Sequence, residues 1–180
     1  MSAAKKSVRD RLAGGPKAGL GCANEIVAEA VRSPKLIKDL VDALRDERTV
    51  VTIRAANALD KIQRGQPEEV ARFGRQLVRT ALECQDLRTR WNLVEVVGRL
   101  PLRGRDRALA IELMFEALGS PSGFLRTFAM TGLVEYARHD SALKQRVRDV
   151  VAKALEDSSP AMRARARKLW PQVADQAVAR

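Results

Sequence analysis

The sequence predicts an all-α protein built from tandem helical hairpins. An Ala-Leu pair closes an apolar segment four times, and successive pairs lie 36 to 38 residues apart. Aromatic residues make up only 4% of the chain, and Gly and Pro fall mainly between the apolar segments, which favours helices over strands. Repetition at this period is typical of α-solenoids, in which each repeat packs only on its neighbours. The pairs are Ala43-Leu44, Ala81-Leu82, Ala117-Leu118 and Ala154-Leu155.

The N-terminal segment has a different composition from the rest of the chain. Residues 1–22 are rich in Gly, Ala and Lys, and Pro16 with the glycines around it interrupts any helix. We therefore expect a flexible basic tail there and a solenoid domain over 23–180. Asn24 is a suitable N-cap for a short helix ending near Val31, which is placed to cover the apolar end of the stack.

Four repeats follow, with predicted bounds of about 34–65, 66–103, 104–139 and 140–178. In the first helix of each repeat, apolar residues recur at spacings of three and four, which describes one buried stripe. The stripes are Leu36, Leu40, Ala43 and Leu44; Leu77, Val78, Ala81 and Leu82; Leu113, Met114, Ala117 and Leu118; and Val147, Val150, Val151, Ala154 and Leu155.

The second helices are in register with one another. A reference position lies eight residues after each Leu of the Ala-Leu pairs, and the third, seventh and tenth residues beyond it are apolar or aromatic in every repeat, which predicts a buried side. The reference residues are Thr52, Arg90, Arg126 and Arg163. The buried positions are Ala55, Leu59 and Ile62; Leu93, Val97 and Leu100; Ala129, Leu133 and Tyr136; and Ala166, Trp170 and Val173.

The turn of the fourth repeat carries a family pattern. The segment from Leu155 to Arg163 resembles the HEAT repeat, in which an Asp in the turn, here Asp157, is followed six residues later by an Arg. The resemblance extends over about 34–178 and implies a right-handed superhelix with the second helices along its concave side. In HEAT proteins the Asp and Arg form a structural ladder between repeats. The other Asp positions hold Asp46, Cys84 and Ser120, so each of those repeats carries at most one member of the pair.

Positions two, five and nine after each reference residue are expected to face away from the core. They place basic residues at both ends of the concave side and one aromatic residue, Phe128, near its centre. A further basic group follows the second repeat. The candidate partner-binding residues are Arg54, Lys61, Arg99, Arg103, Arg105, Phe128, Arg165 and Lys168. Arg90, Arg126 and Arg163 are better explained by the structural ladder, and Trp91 and Trp170 by core packing.

The charge of the chain widens the range of partners. Lys and Arg number 33 against 22 Asp and Glu, a net charge of +11, and the pI is near 10.5, which attracts polyanions. We expect a non-enzymatic scaffold that binds a protein partner, with binding to a nucleic acid backbone as the alternative. A second alternative comes from the resemblance, because HEAT-like alkylpurine DNA glycosylases use this architecture.

No motif indicates catalysis, a cofactor or a metal. Cys22 and Cys84 are too few for a disulfide framework or a zinc site, and His139 beside Asp140 is explained by helix capping. No run of 18 apolar residues predicts a membrane span, so we expect a cytoplasmic protein. Trp170 and Val173, with Val178, could make an apolar end for a homodimer, which the sequence leaves open.

Overall fold

The computed structural model describes residues 6–15, 19, 21–30 and 32–174, which form eleven helices and no strand. The all-α prediction is confirmed. The helices are α1 (Val8–Ala13), α2 (Ala23–Ala30), α3 (Lys35–Ala43), α4 (Thr49–Gln63), α5 (Pro67–Ala71), α6 (Gly74–Glu83), α7 (Leu87–Val97), α8 (Gly104–Leu118), α9 (Gly123–Ala137), α10 (Ser141–Ala154) and α11 (Pro160–Val173).

The helices pair and stack as an α-solenoid. Helices α4, α7, α9 and α11 lie side by side in sequence order, and each packs against the first helix of its own repeat, which is α3, α6, α8 or α10. We call the exposed surface of the row α4, α7, α9 and α11 the second-helix face. Such a row presents one continuous surface, because each hairpin adds its second helix beside the last.

The predicted core of the second helices is confirmed except at one position. All residues at positions three, seven and ten are buried apart from Trp170, which is half-buried against the core. One first-helix prediction is wrong, since Leu82 is 39% exposed. Leu82 follows Arg75 and Arg79 at helical spacing on the exposed side of α6, so the stripe there ends at Ala81.

The prediction of a flexible tail is wrong for the described part of 1–22. Helix α1 packs against α3 and α4, and Leu12 is completely buried in the core. Ser7 caps the helix by accepting a hydrogen bond from the Asp10 N–H at 3.2 Å. Because α2 packs against α4 in turn, α1 and α2 form an additional helical pair at this end of the stack. Residues 1–5, 16–18 and 20 lie outside the described part.

The second repeat begins with two helices instead of one. Pro67 starts α5 as predicted, but the helix stops at Ala71 and α6 begins at Gly74. The side chain of Leu102 lies so close to Gly74 that any Cβ there would clash with it, and this contact accounts for the glycine. The second repeat therefore has three helices where the other repeats have two.

The apolar residues on which a homodimer would rest are only partly described. Val173 is buried in the core of its own chain, and Val178 lies outside the described residues. Among the helices that are described, none is long and apolar enough to cross a membrane.

Candidate binding site

Two of the three arginines at the reference positions join neighbouring repeats, and the third holds the turn of its own repeat. Arg126 donates through both Nη atoms to the carboxylate of Asp157 in the next repeat, at 2.6 and 3.3 Å. Arg163 donates to the carbonyl oxygens of Asp157 and Ser158, and Arg90 forms an ion pair with Glu116 at 2.6 Å. These three arginines therefore belong to the scaffold, as the HEAT resemblance implied.

Hydrogen bonds favour the ionised form of the carboxyl groups at the Asp positions. The Ser159 N–H donates to Asp157, and together with Arg126 it lowers the pKa of the Asp157 carboxyl. In the first repeat the Arg48 guanidinium beside Asp46 lowers the pKa of Asp46 to about 2. The first junction has no Arg at the reference position. Instead, the hydroxyls of Thr52 and Thr89 lie 2.9 Å apart and share a buried hydrogen bond.

Arg54, a predicted partner-binding residue, is unavailable to a partner. Its side chain is 1% exposed and donates to the carbonyl oxygens of Leu12 and Gly14, both at 2.6 Å, and of Gly19 at 2.9 Å. The exposed-face prediction failed because α1, α2 and the described residues between them cover this part of α4. The guanidinium binds carbonyl groups at and beyond the C-terminal end of α1, which lack an intrahelical partner.

The basic residues that follow on the second-helix face have side-chain partners within the chain. Lys61 donates to the side-chain oxygen of Asn24 at 2.5 Å. Arg99 forms ion pairs with Asp60 at 3.1 Å and Glu95 at 2.6 Å. Arg64 pairs with the same two carboxylates, so the junction of α4 and α7 holds two positive and two negative charges. Lys61 and Arg99 thus act mainly between helices rather than toward a partner.

Arg103 and Arg105 lie in a different part of the molecule from the second-helix face. Arg103 is the exposed N-cap residue of α8. Arg105 lines a cleft of about 360 Å³ between the first helices α6 and α8, together with Arg79 and Leu109. The structure does not bring these arginines together with the other predicted binding residues.

Three of the predicted residues do come together. Phe128 of α9 faces Arg165 and Lys168 of α11 across a groove of about 270 Å³ on the second-helix face. We call it the α9–α11 groove. Its lining is completed by Phe124, Thr127, Ala161 and Ala164.

Phe124 is the most exposed large apolar side chain of the groove and was missed by the sequence analysis. It is 63% exposed, and its ring centroid lies 5.5 Å from that of Trp91 on α7. Trp91 packs partly against the core, as predicted, but also borders this aromatic patch. Phe124 and Phe128 are four residues apart on one helix, and this spacing was the available signal.

The groove is electropositive. Arg165 and Lys168 form no ion pair with any described residue, and no acidic side chain lines the groove. Phe124 and Ala161 of its lining lie in the first turns of α9 and α11, where the helix dipole adds positive potential. Arg88 is a third cation without an ion-pair partner among the described residues. It occupies on α7 the position that Phe124 occupies on α9, so the repeat register places it beside the aromatic patch. An exposed aromatic patch is thus flanked by cations on both neighbouring helices.

Three ionisable side chains elsewhere make contacts that stabilise the fold or are shielded by burial. The Tyr136 hydroxyl donates to the carbonyl of Val97 at 2.6 Å, and burial raises the pKa of this phenol. Asp140 caps α10 by accepting the Leu143 N–H at 3.0 Å, as its position predicted. Burial raises the pKa of the Cys84 thiol and so disfavours the reactive thiolate. In the described residues no cluster of His, Cys, Asp and Glu is arranged to hold a metal ion.

Comparison with known proteins shows the fold and not a sequence family. No family profile matches the chain, and no curated protein is similar to it in sequence. A designed armadillo repeat protein, YIII(Dq)4CqI, is similar with a TM-score of 0.64 at 15% identity, covering 92% of this chain and 80% of that one. An engineered protein solved as a structural genomics target gives a TM-score of 0.67 at 16% identity, covering 93% and 79%. Computationally designed armadillo repeat proteins for modular peptide recognition give 0.65 at 17% identity, covering 92% and 80%.

Proposed function

We propose that this protein is a non-enzymatic scaffold that binds a protein partner through the α9–α11 groove. The observation that carries the proposal is the position of Phe124, a largely exposed aromatic ring beside the unpaired cations Arg165 and Lys168. Exposed aromatic residues next to arginine are the usual composition of binding hot spots. The rest of the solenoid supports the two helices that carry them.

The size of the groove favours part of a longer chain over a whole small molecule. Pockets for drug-sized ligands enclose about 300–1,000 Å³, whereas this groove encloses about 270 Å³. Such a volume suits one or two side chains of a partner that continues along the second-helix face. The similar computationally designed armadillo repeat proteins were made for modular peptide recognition, and the shared fold supports the same type of occupant here.

The chemistry of the groove supports binding over catalysis. Thr127 is its only hydroxyl, and that hydroxyl donates to the Phe124 carbonyl at 2.7 Å. No carboxylate, histidine or cysteine lines the groove to serve as a base or nucleophile. A DNA glycosylase of this architecture would need an acidic residue beside the aromatic rings, and the α9–α11 groove has none.

Nucleic acid binding is the second candidate, and the unpaired basic residues favour it. Arg79, Arg103 and Arg105 are exposed without ion-pair partners among the described residues, and the net charge is +11. However, these residues lie on and around the first helices α6 and α8, while Arg165 and Lys168 lie on the second-helix face. One nucleic acid strand needs a continuous track of cations, so this separation favours the protein partner.

Selection from a random peptide library displayed on phage tests the proposal. The immobilised protein is the bait, and the Phe124→Glu variant is used for counter-selection. We expect peptides that bind the natural chain and lose affinity for the variant. Polarisation of labelled DNA and RNA at about 50 and 200 mM salt runs in parallel, since phosphate contacts weaken steeply over this range. If oligonucleotides bind in a salt-sensitive way and no selected peptide depends on the groove, the proposal of a protein partner is wrong and the partner is a nucleic acid.

A further inference from the structure

We infer that the segment bound in the α9–α11 groove is an extended acidic peptide with a bulky apolar residue between its carboxylates. This inference rests on the proposed function and specifies its partner. Neither the fold nor its resemblance to designed repeat proteins determines the charge of a partner, which depends on the side chains of this chain alone.

The unpaired cations on the second-helix face indicate the charge of the partner. The cations at the α4 and α7 junction are paired with Asp60 and Glu95, and Arg54 is buried under the N-terminal segment. At the α9 and α11 junction Arg165, at the repeat position of Arg54, and Lys168 line the groove, and no acidic side chain lines it. Lys61 on α4 is held by Asn24, so the groove is where two cations without ion-pair partners among the described residues lie together on this face. A complementary partner is negatively charged there.

The groove also has room for a large apolar side chain of the partner. Ala161 and Ala164 are short, so they leave room opposite Phe124 and Phe128 for a large side chain from the partner. The molecule contains only seven aromatic residues, and Trp91, Phe124 and Phe128 all belong to this one patch. Burying an exposed aromatic ring against another apolar side chain is favourable because it removes apolar area from water.

The positions of the cations indicate where the carboxylates of a bound peptide would lie. Arg165 and Lys168 of α11 lie on one side of the aromatic patch. Arg88 holds on α7 the position that Phe124 holds on α9, so the repeat register places it on the other side. A peptide crossing the second helices would place one carboxylate beside Arg88, its apolar residue in the groove, and another carboxylate beside Arg165 and Lys168. A single strand of nucleic acid would meet only a few unpaired cations along this face, too few for the strong phosphate binding of a dedicated module.

Four fluorescein-labelled probes of equal length test the inference by polarisation. The first peptide is built from Asp and Glu around a central Leu-Phe pair. The second replaces its acids by Lys, the third replaces Leu-Phe by Ala-Ala, and the fourth probe is single-stranded oligo(dT). We expect the acidic Leu-Phe peptide to bind at least about tenfold more tightly than either altered peptide, as expected when a hot-spot contact is lost.

Variants locate the binding and provide matched controls. Phe124→Ala and the double variant Arg165→Glu/Lys168→Glu should each weaken the acidic peptide by about tenfold or more. The double variant should also bind the Lys peptide more tightly than the natural chain does, a gain that a merely misfolded protein cannot show. The controls are Leu82→Ala, an exposed apolar residue on α6, and Arg103→Glu/Arg105→Glu, and both should leave the affinity unchanged.

The outcomes separate this inference from the proposed function. Displayed peptides that depend on Phe124 but contain no excess of acids, together with equal affinity for the acidic and Lys peptides, would overturn the inference and keep the protein partner. The absence of any groove-dependent peptide would overturn both. Tight oligo(dT) binding that is lost in Arg165→Glu/Lys168→Glu, with no peptide binding, would also overturn both and identify the groove as a nucleic acid site.

Discussion

Arg126 in the third repeat and Asp157 in the fourth form a bidentate ion pair that joins two helical hairpins, with a shorter distance of 2.6 Å from Nη1 to Oδ2. Each side chain is about one-fifth exposed, so the pair is partly shielded from solvent. The Arg of one repeat therefore binds the Asp of the next. Both residues occupy positions of the HEAT pattern, and their ion pair joins the third and fourth repeats. The solenoid depends on such junctions, because each repeat packs only on its neighbours.

Replacing Arg126 by Met should destabilise the protein by about 1–3 kcal/mol, because Asp157 loses a charge-assisted hydrogen bond. Urea denaturation followed by circular dichroism measures the change. Arg167→Met is the control, since Arg167 is exposed on the same pair of repeats and has no ion-pair partner among the described residues. Equal effects of the two substitutions would show that the Arg126–Asp157 pair adds no stability.

Replacing Asp157 by Asn should produce a loss of stability that depends on pH. The folded state lowers the pKa of Asp157, so the carboxylate stabilises the fold above its unfolded pKa of about 3.9. That contribution is lost as the pH falls through the lowered folded value. The stability difference between Asp157→Asn and the natural chain should be constant from about pH 5 to 7 and shrink below about pH 4. A difference that stays constant down to about pH 2 would contradict the role of the charge.

Replacing Arg54 by Met should release the N-terminal helical pair. The three carbonyl groups that Arg54 binds would lose a charged donor, and we expect a loss of about 3 kcal/mol or more because each such bond contributes about 1.5–3 kcal/mol. Amide hydrogen exchange should accelerate over Val8–Ala13 more than over α9 or α11. Arg45→Met is the control, because Arg45 is exposed. Unchanged exchange in α1 would show that other contacts hold this pair.

Replacing Gly132 by Ala should destabilise the contact between the second and third repeats. A Cβ at Gly132 would lie 2.8 Å from the Cα of Gly98 and 3.0 Å from the Sδ of Met114, so the helices would have to move apart. The expected loss is about 1–3 kcal/mol, as for other overpacked sites. Gly65→Ala is the matched control, because a Cβ at Gly65 meets only the Ile62 carbonyl at 4.0 Å. Thermal unfolding of both variants checks the difference.

The repeat core could be predicted from the sequence because it depends on local periodicity. Positions such as Leu59, Val97 and Leu133 recur at the same point of every repeat, and the same helical geometry buries them each time. The exceptions have local causes. Leu82 lies on the exposed stripe of α6, and Trp170 is only half-buried on the last helix, where no further repeat follows among the described residues.

The site was harder to predict because it depends on contacts between distant segments. The repeat register places Arg54 on an exposed stripe, but the carbonyls of Leu12 and Gly14 come from a glycine-rich segment that carries no periodic signal. The register equally could not show that Arg99 would be neutralised by Asp60 from the preceding repeat. Phe128, Arg165 and Lys168 were found because the repeat register places them at outward-facing positions, and no acidic side chain lines the groove that they form.

The substitution Phe124→Ala should weaken binding and leave the stability of the fold nearly unchanged. Since its ring is 63% exposed, Phe124→Ala should change the free energy of unfolding by no more than about 0.5 kcal/mol. The same substitution removes the most exposed apolar side chain of the α9–α11 groove. A chemical denaturation curve that matches that of the natural chain, beside a weakened affinity for displayed peptides, is the expected combination. A large loss of stability would show that Phe124 serves the scaffold.

The measurement that tests the account most directly is an NMR titration of the 15N-labelled protein with the tightest displayed peptide. We predict that amide shifts change along the lining of the α9–α11 groove, at Phe124 to Phe128 and Ala161 to Lys168, and stay constant along α6 and α8. Shifts confined to α6 and α8 around Arg79 and Arg105, or no shifts on the second-helix face, would contradict the claim that this groove is the binding site.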